Sequence, residues 1–313
     1  MPPPSLRREI AIAVGALVLV AALPLSGDAY VLRIGTTMLL YGVLAMSWNF
    51  IGGMTGYPSF ASAAFFGLGA YAGAIAQTSG MPTGLAWVFA GLVAFVFGGL
   101  LGLALLRLRG HYFAIASLVV AEVLREIINS ATDLTGGGMG LNLPVSREIS
   151  IQAQAVFFYY AMLALAVLNF AAMLVTMRTR LGFGLRCIQQ NESAADMIGV
   201  NATLYKTAAF MLSAVFVGTA GAIYASWVNY IEPSDVFDVL FSVKAIVMVL
   251  LGGAGTLFGP LIGAAVFLGL EELLWRNLLQ IHTGILGLLI VLLVLFLPRG
   301  LLSLSRRRWR PAT

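Results

Sequence analysis

Long apolar stretches follow one another along nearly the whole chain, separated by short polar or glycine- and proline-bearing breaks. They fall at roughly 10–25, 30–51, 58–78, 84–106, 112–130, 155–177, 206–228, 240–251, 260–276 and 283–298. Most approach the length of about 20 residues that an α-helix needs to cross a hydrocarbon layer, and they lack the alternation of barrel strands. In lipid the backbone must satisfy its own hydrogen bonds, so runs of this length read as helices. The pattern predicts an all-α, polytopic transmembrane helix bundle of about ten spans, including short or discontinuous helices. Residues 1–313 are read as one transmembrane domain. Two stretches depart from the pattern: 112–130 carries Glu122, Arg125 and Glu126, and 240–251 is too short to cross alone.

Composition supports a lipid solvent. Apolar residues make up 60% of the chain and charged residues 10%, against about a quarter charged in soluble domains. A water-soluble fold of this size has no place to hide that much apolar surface. The net charge of +5 does not point to nucleic acid, because the positive residues sit at the ends of apolar runs. They are Arg7 and Arg8, Arg107 and Arg109, Arg178, Arg180 and Arg186, and the stretch from Arg299 to Arg310. That placement reads as topology: both termini and the loop 178–205 face the cytoplasm, and residues 131–154 face the other side. The start resembles a signal peptide but no clean cleavage site closes it, so an uncleaved first helix is expected. Cys187 stands alone, which excludes an intrachain disulfide, and His111 and His282 lack metal-ligand spacing.

The motif search yields no catalytic residue. The chain has no HExxH, no GxSxG and no cysteine cluster. Its two lysines, Lys206 and Lys244, follow no P-loop, so ATP must be brought by a partner if ATP is used; no cofactor and no metal are expected. Two short stretches look alike: Ile51-Gly52-Gly53 leading to Pro58, and Leu251-Gly252-Gly253 leading to Pro260. Such interruptions at matching places in two halves mark discontinuous helices near a transport path, or else two ordinary turns. GxxxG spacing recurs at Gly52/Gly56, Gly69/Gly73, Gly98/Gly102, Gly255/Gly259 and Gly259/Gly263, which predicts close helix packing.

The longest polar insertion on the positive side is Thr179 to Lys206, TRLGFGLRCIQQNESAADMIGVNATLYK. Asn191 or Ser193 suits the cap of a short helix and Gly199 its end. Ala194 and Ala195 would let another protein come close, so the helix reads as a lever gripped from outside, or as a plain interhelical loop.

Glu192-Ser-Ala194-Ala195-(x)3-Gly199 resembles the EAA-type coupling loop of bacterial ABC importer permeases. Four further strings resemble one branch, the branched-chain amino acid permeases of the LivM type: GMTGYPSFASAAFFGLGAY at 53–71, GHYFAIASLVVAEVLREI at 110–127 with LTGGGMGL at 134–141, AFMLSAVFVGTAGAIYA at 209–225, and MVLLGGAGTLFGPLIGA at 248–264. The likeness runs from about Ile34 to Pro298. It implies a bacterial inner-membrane machine of two related permease subunits, two cytoplasmic ABC ATPases and a periplasmic or extracytoplasmic solute-binding protein. Arg186, Glu192, Ala194, Ala195 and Gly199 would then form the ATPase-coupling surface. The chain departs from the family at Ala61 and Ser62, where a glycine-histidine pair is common, and at Gln189 and Gln190, where an Arg-Glu pair is frequent. Related permeases carry urea, short amides or other acids, so these departures leave the solute open.

Several polar residues keep two readings. Glu122 and Arg125 share a helix face and serve either as structural glue or as part of a gate. Lys244 snorkels to the head groups or lines an interface or cavity. Glu271 and Glu272 sit at an outer interface or meet a binding protein. Thr135, Gly136 and Gly137 form a flexible loop, or present amides to a carboxylate. Ser59, Ser62 and Ser213 line a polar path or pack between helices. A stand-alone secondary transporter coupled to an ion gradient is the competing class, with Glu122 as its buried carboxylate; an intramembrane enzyme is the third.

Overall fold

The computed structural model describes residues 6–108, 110–144, 150–277, 287, 300 and 301. Apart from Gly287, Gly300 and Leu301, the expected span 283–298 and the basic stretch Arg299 to Arg310 lie outside the described residues, as do Arg109 and His282. In chain order the helices are α1 (Leu6–Ala21), α2 (Ala29–Trp48, continued by a π turn over Asn49–Gly53), α3 (Ser62–Thr78), α4 (Thr83–Leu105), α5 (His111–Ser130) and α6 (Thr132–Thr135). They continue with α7 (Ile151–Arg178), α8 (Arg180–Gln190), α9 (Glu192–Met197), α10 (Ala202–Val228), α11 (Pro233–Val236), α12 (Leu240–Gly252) and α13 (Gly259–Asn277). Among the described residues, two short strands, β1 (Leu141–Asn142) and β2 (Tyr230–Ile231), pair antiparallel with Leu141 opposite Ile231. The chain is an all-α helix bundle.

Among the described residues, four stretches are long and apolar enough to cross a membrane: Ala29–Gly53, Thr83–Leu105, Gln152–Arg178 and Ala202–Val228. The expected run at 58–78 becomes helical only at Ser62, because Gly56 takes a left-handed φ of +75° and Pro58 follows two residues later. The insertion 178–205 holds two helices, α8 and α9, rather than one.

Contacts fix the direction of each helix. Tyr159 on α7 lies against Gly35 on α2, and Asn169 further along α7 bonds Val43 and Ser47, so α2 and α7 run in parallel. Gly102 and Gly98 on α4 meet Thr207 and Ala214 on α10 in reverse order, so these two are antiparallel. The C-termini of α2, α4, α7 and α12 therefore gather at one end with α8, α9 and the start of α10. Arg178, Arg180 and Arg186 lie there, and it is called the basic end below. The β1–β2 pair, α6 and the start of α7 sit at the opposite end.

Small residues draw the centre together. A Cβ on Gly98 would stand 2.6 Å from Ala214 Cβ, one on Gly102 would stand 2.9 Å from Thr207 Cγ2, and one on Gly73 would stand 2.6 Å from Ala222 Cβ. Lipid tails are as apolar as leucine, so hydrophobicity does not pull helices together here; close backbone approach through glycine and alanine does. Aromatic rings fill the spaces beside that seam: Phe66 stacks on Phe241 with centroids 4.3 Å apart, and Phe65 meets Phe210 edge-on at 5.0 Å.

Candidate functional site

The basic end is built around two broken helices and the helices α8 and α9. Asn191 supplies the cap of α9: its Oδ1 accepts from the Ala194 amide at 3.1 Å, satisfying one of the orphan donors of a helix start. Ala195 is buried against Ile188 and Ala202, which fixes α9 to α8 and to the start of α10. Gly199 closes the turn at φ +85°, while the Val200 amide reaches back to the Ala195 carbonyl at 3.0 Å. Asn201 then caps α10 through the Leu204 amide at 3.1 Å.

Behind this surface lies a cation in the bundle. Lys206 is 0% exposed. Its Nζ donates to Glu192 Oε1 at 2.9 Å, to the Tyr57 hydroxyl at 3.1 Å and to the Leu106 carbonyl at 3.2 Å. An ammonium has three donors, so the site is saturated. The Tyr57 hydroxyl in turn donates to the second oxygen of the Glu192 carboxylate, and the Tyr57 ring lies 4.3 Å from Nζ. Removing a lone charge from water costs several kcal/mol; here a carboxylate, a hydroxyl, a carbonyl and a ring compensate it together. Glu192, the first residue of α9, thus points its carboxylate into the bundle.

A second tie lies beside the first. Gln189 Nε2 on α8 donates to the Gly53 carbonyl at 3.0 Å. Gly53 belongs to the π turn of α2, and that turn touches its look-alike. Asn49 Nδ2 donates to the Thr256 carbonyl at 3.0 Å and Asn49 Oδ1 accepts from the Gly255 amide at 2.8 Å, residues 207 and 206 positions away. A Cβ on Gly53 would overlap the Asn49 amide and stand 2.7 Å from the Gly255 nitrogen. Gly252 packs as closely on the Gly259 carbonyl, Gly253 takes φ +123°, and Gly52 lies flat on the Trp48 ring. The first glycine pair thus meets the turn that follows the second, Gly53 against Gly255, at the place where helices are discontinuous. π turns recur at functional positions in helices.

The other expected residues are distributed more widely. Ser59 and Ser62 are buried just inside this junction: Trp48 Nε1 donates to the Ser59 carbonyl at 2.7 Å. The start of α3 is held by Ser242 Oγ, which accepts from the Ala63 amide at 2.9 Å and donates to the Phe60 carbonyl at 2.7 Å. Ser213 is buried on α10. Glu122 pairs with Arg125, and its side chain is 57% exposed, which places it on the outer face of α5 rather than in the bundle interior. Thr135 is buried with its hydroxyl engaged by the carbonyls of Ile128 (2.7 Å) and Ala131 (2.8 Å). Gly136 and Gly137 take φ of +72° and +57° to close that loop at the end far from α9. Arg186 is exposed on α8, and Ala194 is half-buried on α9.

Sequence reasoning does not single out Tyr57, Gln189, Lys206, Asn49 or Ser242 as site residues. Lys206 carries one usable signal, being one of two lysines in the chain. Asn49 carries another, a carboxamide placed just before a glycine pair.

A family profile described as the branched-chain amino acid transport system / permease component matches residues 30–297. The chain belongs to this permease family. It is similar to the high-affinity branched-chain amino acid transport system permease protein LivM of Salmonella typhimurium, 29% identical over 93% of this chain and 74% of that protein. The LivM protein of Escherichia coli is 29% identical over 94% and 75%. The LivH permease protein of the same transport system in Escherichia coli is 23% identical over 84% of this chain and 91% of its own length. No solved structure matches the chain. This permease is accordingly a multi-pass membrane transport subunit of an ABC system, in which ATPase and solute-binding components act alongside the membrane core.

Proposed function

We propose that this permease is one of two related membrane subunits of a bacterial inner-membrane importer for branched-chain amino acids, powered by two cytoplasmic ATPases and fed by a solute-binding protein on the other face. The solute class rests on the names borne by the LivM and LivH relatives, and the pairing on the existence of both in Escherichia coli. The basic end faces the cytoplasm, as the placement of Arg178, Arg180 and Arg186 favours.

The observation that carries the mechanism is the double tie of α8 and α9 to the broken helices. Glu192 is bonded to Lys206 and Tyr57, and Gln189 to Gly53. On its outer side the same unit presents Arg186 with exposed Phe183, Met197 and Ile198, a mixed apolar and cationic surface suited to a protein partner. Glu192, Ala194, Ala195 and Gly199 shape α9 from within. A partner that moves α8 and α9 pulls on the start of α10 and on both glycine breaks at once. ATP-driven closure of the ATPases is thereby converted into alternating access in the bundle.

Co-reconstitution of the permease pair with its ATPases and binding protein in vesicles tests this reading. Uptake of labelled leucine is expected only with ATP and both ATPase subunits present. Uptake that persists without them, or that follows an imposed proton or sodium gradient, overturns it in favour of a stand-alone carrier.

A further inference from the structure

At the end away from α8 and α9, helices α2, α12 and α13 line an open cavity of about 370 Å³, within the size range of small-ligand pockets. Its walls carry two cations, Arg33 and Lys244, and two carboxylates, Glu271 and Glu272. Lys244 Nζ donates to Glu271 Oε1 at 2.7 Å and lies 5.3 Å from the centre of the Tyr41 ring. Tyr30 donates its hydroxyl to Glu272. Tyr41 stands twelve residues into α2, which at 1.5 Å per residue puts the floor of the cavity about 18 Å along that helix. Ionisable side chains at such depth are costly and mark pathways for polar solutes.

We propose that this cavity is a binding site for a small zwitterion, an aliphatic amino acid with its charged ends on these four side chains. The charges of the walls balance, so the cavity favours a molecule of no net charge that carries both signs. Its carboxylate meets Arg33 and Lys244, and its ammonium meets Glu271 and Glu272. The guest exchanges the Lys244–Glu271 pair, whose side chains are 24% and 28% exposed, for two pairs of its own, which keeps each of these charges compensated. Ile34, Met38 and Leu268 complete the lining and receive an aliphatic side chain. A phospholipid head group with an ammonium offers related chemistry without a short aliphatic side chain, so the test separates the two. The assignment rests on the transport reading above only for its place on the solute's route.

The experiment uses the full chain with Cys187→Ser and Thr37→Cys, held in nanodiscs of phosphatidylglycerol. Thr37 lines the cavity, and labelling of a thiol at that position by a maleimide reports occupancy without requiring transport. Millimolar L-leucine is expected to slow labelling about fivefold or more. L-leucinamide, which lacks the carboxylate, and 4-methylpentanoate, which lacks the ammonium, are expected to slow it less than twofold. Lys244→Met combined with Glu271→Gln, a pair of changes that leaves no charge unmatched, is expected to abolish the protection by leucine. Equal protection by all three compounds, no protection by leucine, or protection by phosphoethanolamine alone overturns the proposal. These outcomes are independent of the vesicle assay: a complex that couples ATP to uptake while leucine fails to protect the thiol at position 37 loses the cavity assignment only. A complex that protects yet never couples loses the importer reading only.

Discussion

Lys206 shows how a single side chain is constrained by its surroundings. With three donors engaged and no exposure, it can be lost only together with its partner's charge. Lys206→Met strands the Glu192 carboxylate, whose side chain is 18% exposed, and is expected to destabilise the protein by about 3 kcal/mol. Adding Glu192→Gln removes the stranded charge and is expected to recover at least half of that loss. Thermal unfolding of the detergent-purified single and double variants at one scan rate measures both, and a double variant less stable than Lys206→Met refutes the pairing. The glycines make a second contrast at this scale. Gly53→Ala drives a methyl into Asn49 and is expected to cost about 1–3 kcal/mol, as overpacking does, while separating the two breaks. Gly199→Ala meets nothing within 4 Å and bears only the strain of φ +85°, about 1–2 kcal/mol. A larger loss of thermal stability for Gly199→Ala than for Gly53→Ala would contradict the close packing of Gly53 against Asn49 and Gly255.

Among the elements, those set by uninterrupted apolar length were the ones the sequence made legible. The run at 206–228 is the body of α10, and 240–251 is α12 to within a residue. The loop 178–205 was legible as a polar insertion with a capped helix, and Asn191 is that cap. It was not legible as two helices, because Arg180–Gln190 is short and carries Gly182 and Gly184, which weaken a helix, between charged and apolar residues. The likeness of the two glycine pairs could be seen in the text of the chain. The contact of the first break with the turn at Gly255 could not, since Asn49 reaches Gly255 across 206 positions and no local pattern records such a distance. Lys206 was missed for the same reason: Tyr57 is 149 positions away, and a lysine near a helix start ordinarily reads as one that snorkels. Glycine spacing was a fairer guide. Gly69/Gly73 and Gly98/Gly102 both face α10 in the structure. Gly98→Val is therefore expected to force α4 away from Ala214 and reduce the yield of monodisperse protein severely. Gly84→Val, on the same helix with nothing within 4 Å of its Cβ, is expected to leave the yield near wild type; equal yields for the two variants in size-exclusion chromatography would show that the α4–α10 seam does not hold the bundle.

The molecule as a whole has two ends of different build. The basic end holds α8, α9 and the junction of the broken helices; the other end holds β1, β2 and the mouth of the charged cavity, where Tyr30 reaches Glu272. If motion enters at one end and solute at the other, the two ends must face different compartments. With Cys187→Ser as background, Ser193→Cys places a thiol on α9 and Met139→Cys places one beside β1, where Met139 is 88% exposed. In sealed right-side-out vesicles a membrane-impermeant maleimide is expected to label the thiol at position 139 at once, and the one at position 193 only after the membrane is opened. Adding the partner ATPases to opened vesicles is expected to shield the α9 thiol by tenfold or more and to leave the thiol beside β1 unchanged, because of these two positions only the one on α9 belongs to the proposed coupling surface. Labelling of the α9 thiol from outside would invert the bundle and separate the coupling helices from any cytoplasmic motor. Labelling there that ignores the ATPases would leave the orientation standing but move the grip away from α9.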